Sequence, residues 1–125
     1  MARPSILLVD DDPAVRSSIA FALGVEGFDV AAFESAEALL ADDPGAAHAC
    51  LVLDHRLPGL DGLTLLAQLQ ARGDDAPAII ITSNVSQGLR QRVRESGAQL
   101  VEKPLLSDAL AAAVRAIVAR GEAMQ

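Results

Sequence analysis

Four short stretches carry side chains whose types suit one kind of chemistry. Asp10, Asp11 and Asp12 follow the apolar run 6–9, Asp54 closes the run 50–53, Thr82 closes 78–81, and Lys103 follows Leu100, Val101 and Glu102. Two carboxylates about 5 Å apart repel by roughly 3 kcal/mol at an effective dielectric of about 20. Grouped carboxylates therefore call for a cation. A hard divalent ion with oxygen ligands fits them, and Mg²⁺, which keeps several waters, fits a few carboxylates plus a phosphoryl oxygen. Lys103 adds a fixed positive charge and Thr82 a hydroxyl donor, the groups that the oxygens of a transferring phosphoryl group need. The remaining task is that of nucleophile, which a carboxylate performs by forming an acyl phosphate. Asp54 suits it best, because Leu57-Pro58-Gly59 just after it forms a tight loop whose N–H groups can face an incoming oxyanion.

These residues act together only if the chain brings them to one place. Apolar runs at 6–9, 30–33, 50–53, 78–81 and 100–101, each followed by a polar or Gly/Pro-containing break, read as five strands. Helical spacing links Val15, Ile19, Ala22 and Leu23, then Gly62, Leu65, Leu66 and Leu69, then Leu110, Val114, Ile117 and Val118. Asp12 followed by Pro13 is a helix start, Ser35, Ser86 and Ser107 are candidate caps, and Gly24, Gly73 and Gly97 stand where helices are expected to stop. Continuous apolar strands imply burial on both faces, and alternation with helices implies a parallel sheet with right-handed crossovers. The expected class is a three-layer, doubly wound (βα)5 α/β domain with its chemistry at the carboxyl ends of the strands.

Composition sets the outer limits. The 125 residues suit one domain spanning 1–125, with a frayed tail expected at 121–125 and no effector domain within them. Hydrophobic residues make up 51% and aromatics 2%, so the core must be aliphatic. Cys50 is the only cysteine, which excludes an intramolecular disulfide and makes a core position its expected role. The start of the chain is too short and acidic for a signal peptide and no run is long enough to span a membrane, so a cytoplasmic location is expected. The net charge of −7 argues against direct binding to nucleic acid.

The sequence resembles the receiver domains of two-component response regulators along nearly its whole length. The matching stretches are Ile6-Leu7-Leu8-Val9-Asp10-Asp11-Asp12, the segment from Leu53-Asp54 through Leu57-Pro58-Gly59 to Asp61-Gly62, Ile79-Ile80-Ile81-Thr82-Ser83, and Val101-Glu102-Lys103-Pro104. The resemblance implies a flavodoxin-like sheet of order 2-1-3-4-5 and a phosphoacceptor switch at Asp54. It implies Mg²⁺ held by Asp11, Asp54 and the Arg56 carbonyl, with Asp10 acting through water, and Thr82 and Lys103 on the phosphoryl oxygens. It implies a cis Lys103-Pro104 bond, a histidine kinase or phosphotransfer protein as donor, and a downstream effector, with self-association on phosphorylation a further candidate. The surface that changes would be that of the fourth helix, fifth strand and fifth helix. Leu100 and Leu105 stand where such domains usually carry aromatics, so a ring-rotamer readout is not expected.

Competing readings fare worse. A haloacid-dehalogenase-like phosphatase would use Asp10 and Asp12 as an Asp-x-Asp motif, but Ala14 replaces its Thr or Val and no acidic pair follows the fourth strand. A pseudo-receiver would lack some of the chemical groups, and all are filled. A dinucleotide site would need Gly-x-Gly-x-x-Gly where Asp-Asp-Asp-Pro stands. Asp12 reads as a helix cap, His48 and His55 as solvated side chains, and Arg90, Arg92 and Arg94 as a solvated helix face. Ala14, Ser18, Phe21 and Val25 form a second stripe on the first helix, with Phe21 a docking anchor or partly buried among its neighbours.

Overall fold

The computed structural model describes residues 3–42, 48–103 and 108–123. Strands β1 (Ser5–Val9), β2 (Asp29–Phe33), β3 (Cys50–Asp54), β4 (Ala78–Thr82) and β5 (Gln99–Glu102) alternate with helices α1 (Pro13–Val25), α2 (Ala36–Asp42), α3 (Gly62–Ala71), α4 (Gln87–Glu95) and α5 (Ala109–Ala123). All strand pairs are parallel, in the order β2-β1-β3-β4-β5.

Side-chain alternation along the central strands builds two aliphatic cores. Leu7, Val9, Leu51, Leu53 and Ile80 pack with Leu39, Leu65, Leu66, Leu69, Leu89 and Val93, so α2, α3 and α4 cover that face. Ile6, Leu8, Val52, Ile79 and Ile81 pack with Ile19, Leu23, Val114 and Ile117 from α1 and α5. Burial on both faces holds for β1 from Ile6 onward and for β3 and β4. It fails for the sheet edges, where Ala31 and Ala32 of β2 and Gln99 and Glu102 of β5 are exposed. Cys50 is buried in the second core, and that burial pushes its thiol pKa up to about 12.

Helix α1 starts as its sequence predicts: Asp12 accepts the N–H groups of Ala14 and Val15 at 2.9 and 3.3 Å, with Pro13 in the first turn. Ser35 and Ser86 accept from Ala38 and Leu89. Two expectations are corrected here. Gly24 does not stop α1. The chain leaves the helix through Gly27 at φ 98°, with the Phe28 N–H reaching back to the Leu23 carbonyl, an ending that needs a residue free to adopt positive φ. Ala22 is exposed, because the buried stripe of α1 runs through Ile19 and Leu23 only. Of the tail 121–125, expected to fray, residues 121–123 continue α5 and 124–125 lie outside the described residues. Ser107, Leu105 and the Lys103-Pro104 bond fall on or against residues outside those described. Among the described residues no helix is long and apolar enough to cross a membrane.

Candidate functional site

Strand register brings the sequence-predicted residues together. Val9 pairs with Leu53, so Asp10 and Asp54 leave neighbouring strands at one level. Asp54 pairs with Ile81 and Thr82 with Glu102, which puts Thr82 and then Lys103 one step further along the same edge. The Lys103 N–H donates to the Thr82 carbonyl at 2.7 Å and so continues the β4–β5 ladder into the site.

Asp10 and Thr82 are 0% and 1% exposed and Asp54 4%, while Asp11 is exposed at the rim. Lys103 Nζ lies 3.2 Å from Asp10 Oδ2 and 3.3 Å from Asp54 Oδ2. Asp54 Oδ1 accepts the Arg56 N–H at 3.3 Å, a donor that precedes Leu57-Pro58-Gly59 and meets the carboxylate itself. Thr82 Oγ1 accepts the Asn84 N–H at 3.2 Å, tying the hydroxyl directly to the loop that leads into α4. Burial, and next the Asp10 carboxylate, push the Asp54 carboxyl up from the ordinary 3.8 to about 6, against the opposing pull of Lys103. Burial works against the charge on Lys103, yet Asp54 and Asp10 outweigh it and raise the ammonium pKa.

The residues present fit a divalent cation. Asp10, Asp11 and Asp54 each offer a carboxylate oxygen, all within 4.8 Å of one another. Asp10 Oδ2 is buried and, among the described residues, meets only the Lys103 ammonium, which it shares with Asp54. Burying two ionised carboxylates against one ammonium is costly, and a further cation would offset that cost. One lysine facing two buried carboxylates leaves the site short of positive charge.

Other sequence-marked residues lie around this edge. His55 is half-buried rather than solvated, its Nδ1 has no hydrogen-bond partner among the described residues, and burial lowers its pKa despite the nearby Asp61. His48 is also half-buried and lies 3.4 Å from Ser5 Oγ. Arg90, Arg92 and Arg94 are exposed, with Arg92 3.9 Å from Asp61. Phe21 and Val25 are 75% and 70% exposed, so Phe21 is not buried among its neighbours. With Ala14 and Ser18 on α1, and Leu110 and Ala111 on α5, they line a cavity of about 860 Å³ that reaches Ser83 and Lys103. Arg115 closes its far side, paired with Glu26 and, at 3.2 Å, with Asp108.

Two residues that shape the site were not marked for it in the sequence. Gly62 begins α3 against the end of β3: its N–H donates to the His55 carbonyl at 2.9 Å, and a Cβ there would stand 2.5 Å from the Asp54 carbonyl oxygen. Arg16 donates to the Asp10 carbonyl at 2.8 Å. The glycine stands in a helical stripe and at the end of the matching stretch through Asp61, and the arginine carries no mark in the sequence, so only the three-dimensional approach of the backbone reveals what either does.

Comparison with known proteins bears on this arrangement. A family model described as response regulator receiver domain matches residues 6–115. The transcriptional regulatory protein FixJ of Bradyrhizobium diazoefficiens is 36% identical over 118 residues, which cover 94% of this chain and 58% of that protein. The chain spans about half the length of most of the curated relatives it matches. Among solved structures, a CheY-like response regulator receiver domain protein from Methanospirillum hungatei superposes with a TM-score of 0.88 at 25% identity, covering 99% of this chain and 100% of the other. Full-length FixJ from B. japonicum gives 0.85 at 35% identity, covering 98% and 61%.

Proposed function

Because the chain belongs to the receiver-domain family of two-component response regulators, we propose that Asp54 is the residue that accepts the phosphoryl group and that residues 1–125 form one such domain. The observation that carries this reading is the meeting of Asp10, Asp11 and Asp54 carboxylates with Lys103 Nζ at one strand edge. In the reaction an Asp54 carboxylate oxygen attacks phosphorus, a P–O bond forms, and the P–N bond to a donor phosphohistidine breaks, leaving imidazole. With acetyl phosphate the leaving group is acetate. Lys103 offsets charge on the phosphoryl oxygens, and Thr82 turns its hydroxyl toward them. Self-phosphorylation from a donor and slow loss of the group are the only chemistry ascribed to the chain. Reductive trapping tests the acceptor. After treatment with acetyl phosphate and Mg²⁺, borohydride converts an aspartyl phosphate to homoserine, and peptide mass spectrometry is expected to find it at residue 54. Homoserine at 10 or 11 instead would overturn the assignment.

Mg²⁺ is the proposed cofactor, held by Asp11, Asp54 and the Arg56 carbonyl, with Asp10 reached through water. When bound it supplies the positive charge that offsets the carboxylates and the incoming oxygens. Binding to the native state alone raises stability by mass action, about 2.7 kcal/mol at 100 times the dissociation constant. The melting temperature of the wild type is therefore expected to climb with Mg²⁺ and that of Asp11→Ala to stay level. Equal climbs would contradict the site. The chain has no Trp or Tyr, so calorimetry replaces intrinsic fluorescence.

The partners ascribed to the domain are a histidine kinase or phosphotransfer protein as donor and a downstream effector, both met in the cytoplasm, with neither nucleic acid nor membrane touched directly. The exposed Phe21, beside a groove that opens onto Lys103, suits the donor. Phe21→Ala is expected to slow transfer from the cognate protein by about tenfold or more, as loss of a central aromatic anchor does. Its rate with acetyl phosphate is expected to be unchanged, and equal slowing with both donors would point to damage at Asp54. Output would run from Thr82 through Asn84 to α4, since the Thr82 hydroxyl already holds that loop. The surface it would alter is that of α4, β5 and α5, with a phosphorylation-dependent homodimer one candidate outcome.

A further inference from the structure

We propose that Arg16 is a positioning residue for the acidic pair, fixing the orientation in which the Asp10 carboxylate serves a cation. This rests on the reading of Asp10, Asp11 and Asp54 as a Mg²⁺ site and adds a member that acts through Asp10. Arg16 lies near the start of α1 and is half-buried, and its guanidinium donates to the Asp10 backbone carbonyl at 2.8 Å. That carbonyl stands where β1 leaves the sheet: Val9 is the last residue paired with both neighbours. A carbonyl of a fully buried residue just past the end of a ladder needs a donor from elsewhere. Arg16 provides it across six residues.

Asp10 is thereby held at three points. Its N–H donates to Phe33 O at 3.2 Å, its carbonyl accepts from Arg16, and its Oδ1 accepts the Asp12 N–H at 3.0 Å. The atom left over is Oδ2, buried and, among the described residues, met only by the Lys103 ammonium at 3.2 Å. Fixing the other three atoms aims this one. The planar guanidinium also bridges the first turns of α1 to the strand end, so that Asp11 and Asp12 sit in a loop closed at both sides.

Charge and position predict opposite signs for this residue. A guanidinium near an acidic cluster repels an incoming cation, so removing it would tighten Mg²⁺ binding if charge were all that mattered. If Arg16 positions Asp10, removing it loosens the site and weakens binding. Residues that orient metal ligands from behind typically contribute about 10-fold or more to affinity.

The experiment is Mg²⁺ titration by calorimetry on the whole chain, comparing wild type with Arg16→Met, Arg16→Lys, Asp11→Ala and Arg115→Gln. The last removes an ion-paired arginine from the α1–α5 groove and reports what a general loss of stability does. Arg16→Met, which has no donor for the carbonyl, is expected to weaken Mg²⁺ about 10-fold, Arg16→Lys to recover part of that loss because an ammonium also donates to a carbonyl, and Arg115→Gln to bind as wild type. Unchanged or tighter binding in Arg16→Met overturns the proposal, as does a lysine variant no better than methionine or an equal loss in Arg115→Gln. Failure of the underlying Mg²⁺ reading would appear elsewhere, as absent binding in wild type or undiminished binding in Asp11→Ala, and would remove the proposal with it.

Discussion

Asp54→Asn is expected to make the Mg²⁺-free protein more stable at neutral pH, by about 1–3 kcal/mol, while removing its proposed activity. The folded chain holds the Asp54 carboxyl at a pKa of about 6, against the ordinary 3.8, because it is buried beside Asp10. A shift of that size corresponds to at most about 3 kcal/mol, since one pKa unit is worth about 1.4 kcal/mol. A raised carboxyl pKa means that ionising the group costs the folded state stability. Stability from this group is therefore full below pH 3.8 and is lost as pH rises through 6. Asparagine carries no such cost, so its advantage should be complete above about pH 7 and shrink as pH falls from 6 toward 4. Saturating Mg²⁺ is expected to narrow the gap by stabilising the wild type. Chemical denaturation across pH measures the difference. An asparagine variant of equal or lower stability at pH 7.5, or a gap that does not change with pH, would contradict this account of the site's electrostatics.

Gly62→Ala is expected to destabilise the protein by about 3 kcal/mol, near the upper end of what overpacking costs. Elsewhere in a helix the same change would stabilise by up to about 1 kcal/mol, since alanine is the better helix former. Here the added Cβ would stand 2.5 Å from the Asp54 carbonyl oxygen and 3.1 Å from both the Asp54 carbonyl carbon and His55 Cα. All three are backbone atoms of a strand end fixed in the sheet, so neither element can give way cheaply. The start of α3 must move, breaking the bond from the Gly62 N–H to the His55 carbonyl or displacing Asp54. Gly88→Ala in α4, where an added Cβ meets only the Ser86 side chain at 4.0 Å, provides the control and is expected to stabilise slightly. Urea midpoints compare the two. A Gly62→Ala loss below about 0.5 kcal/mol would mean that the approach of α3 to Asp54 is not the constraint described.

Much of this arrangement is legible in the sequence, and the physical reason differs from element to element. The central strands are uninterrupted apolar runs such as Ile6 to Val9 and Ile79 to Ile81, which only a sheet covered on both faces can bury. Asp10, Asp54, Thr82 and Lys103 each fall at or just after such a run, and parallel pairing then leaves little freedom in where they meet. Helix starts are legible because the Asp12 and Ser86 side chains accept N–H groups from the first turns of the helices they precede. Ends are less so: Gly24 and Gly27 are alike in type, and only the bond from Phe28 to Leu23 selects the second. The edge strand β2 misleads, since Val30, Ala31 and Ala32 look as apolar as a central strand, yet only Val30 packs against the core and both alanines are exposed. His55 reads as a solvated side chain, yet it is half-buried in a cleft shared with Asp61 and with Gly88, Leu89 and Arg92 of α4. Gly62 and Arg16 escape notice for a shared reason: each acts on backbone atoms of a residue six to eight positions away, and backbone atoms leave no mark in a sequence.

The most direct test of Asp54 as acceptor is the mass of the intact protein after incubation with acetyl phosphate. With Mg²⁺ present, the wild type is expected to gain a single phosphoryl group that is lost again in base. Neither chelated wild type nor Asp54→Asn is expected to gain any. An Asp54→Asn protein that takes up one phosphoryl group at the wild-type rate would contradict the claim that Asp54 is the acceptor.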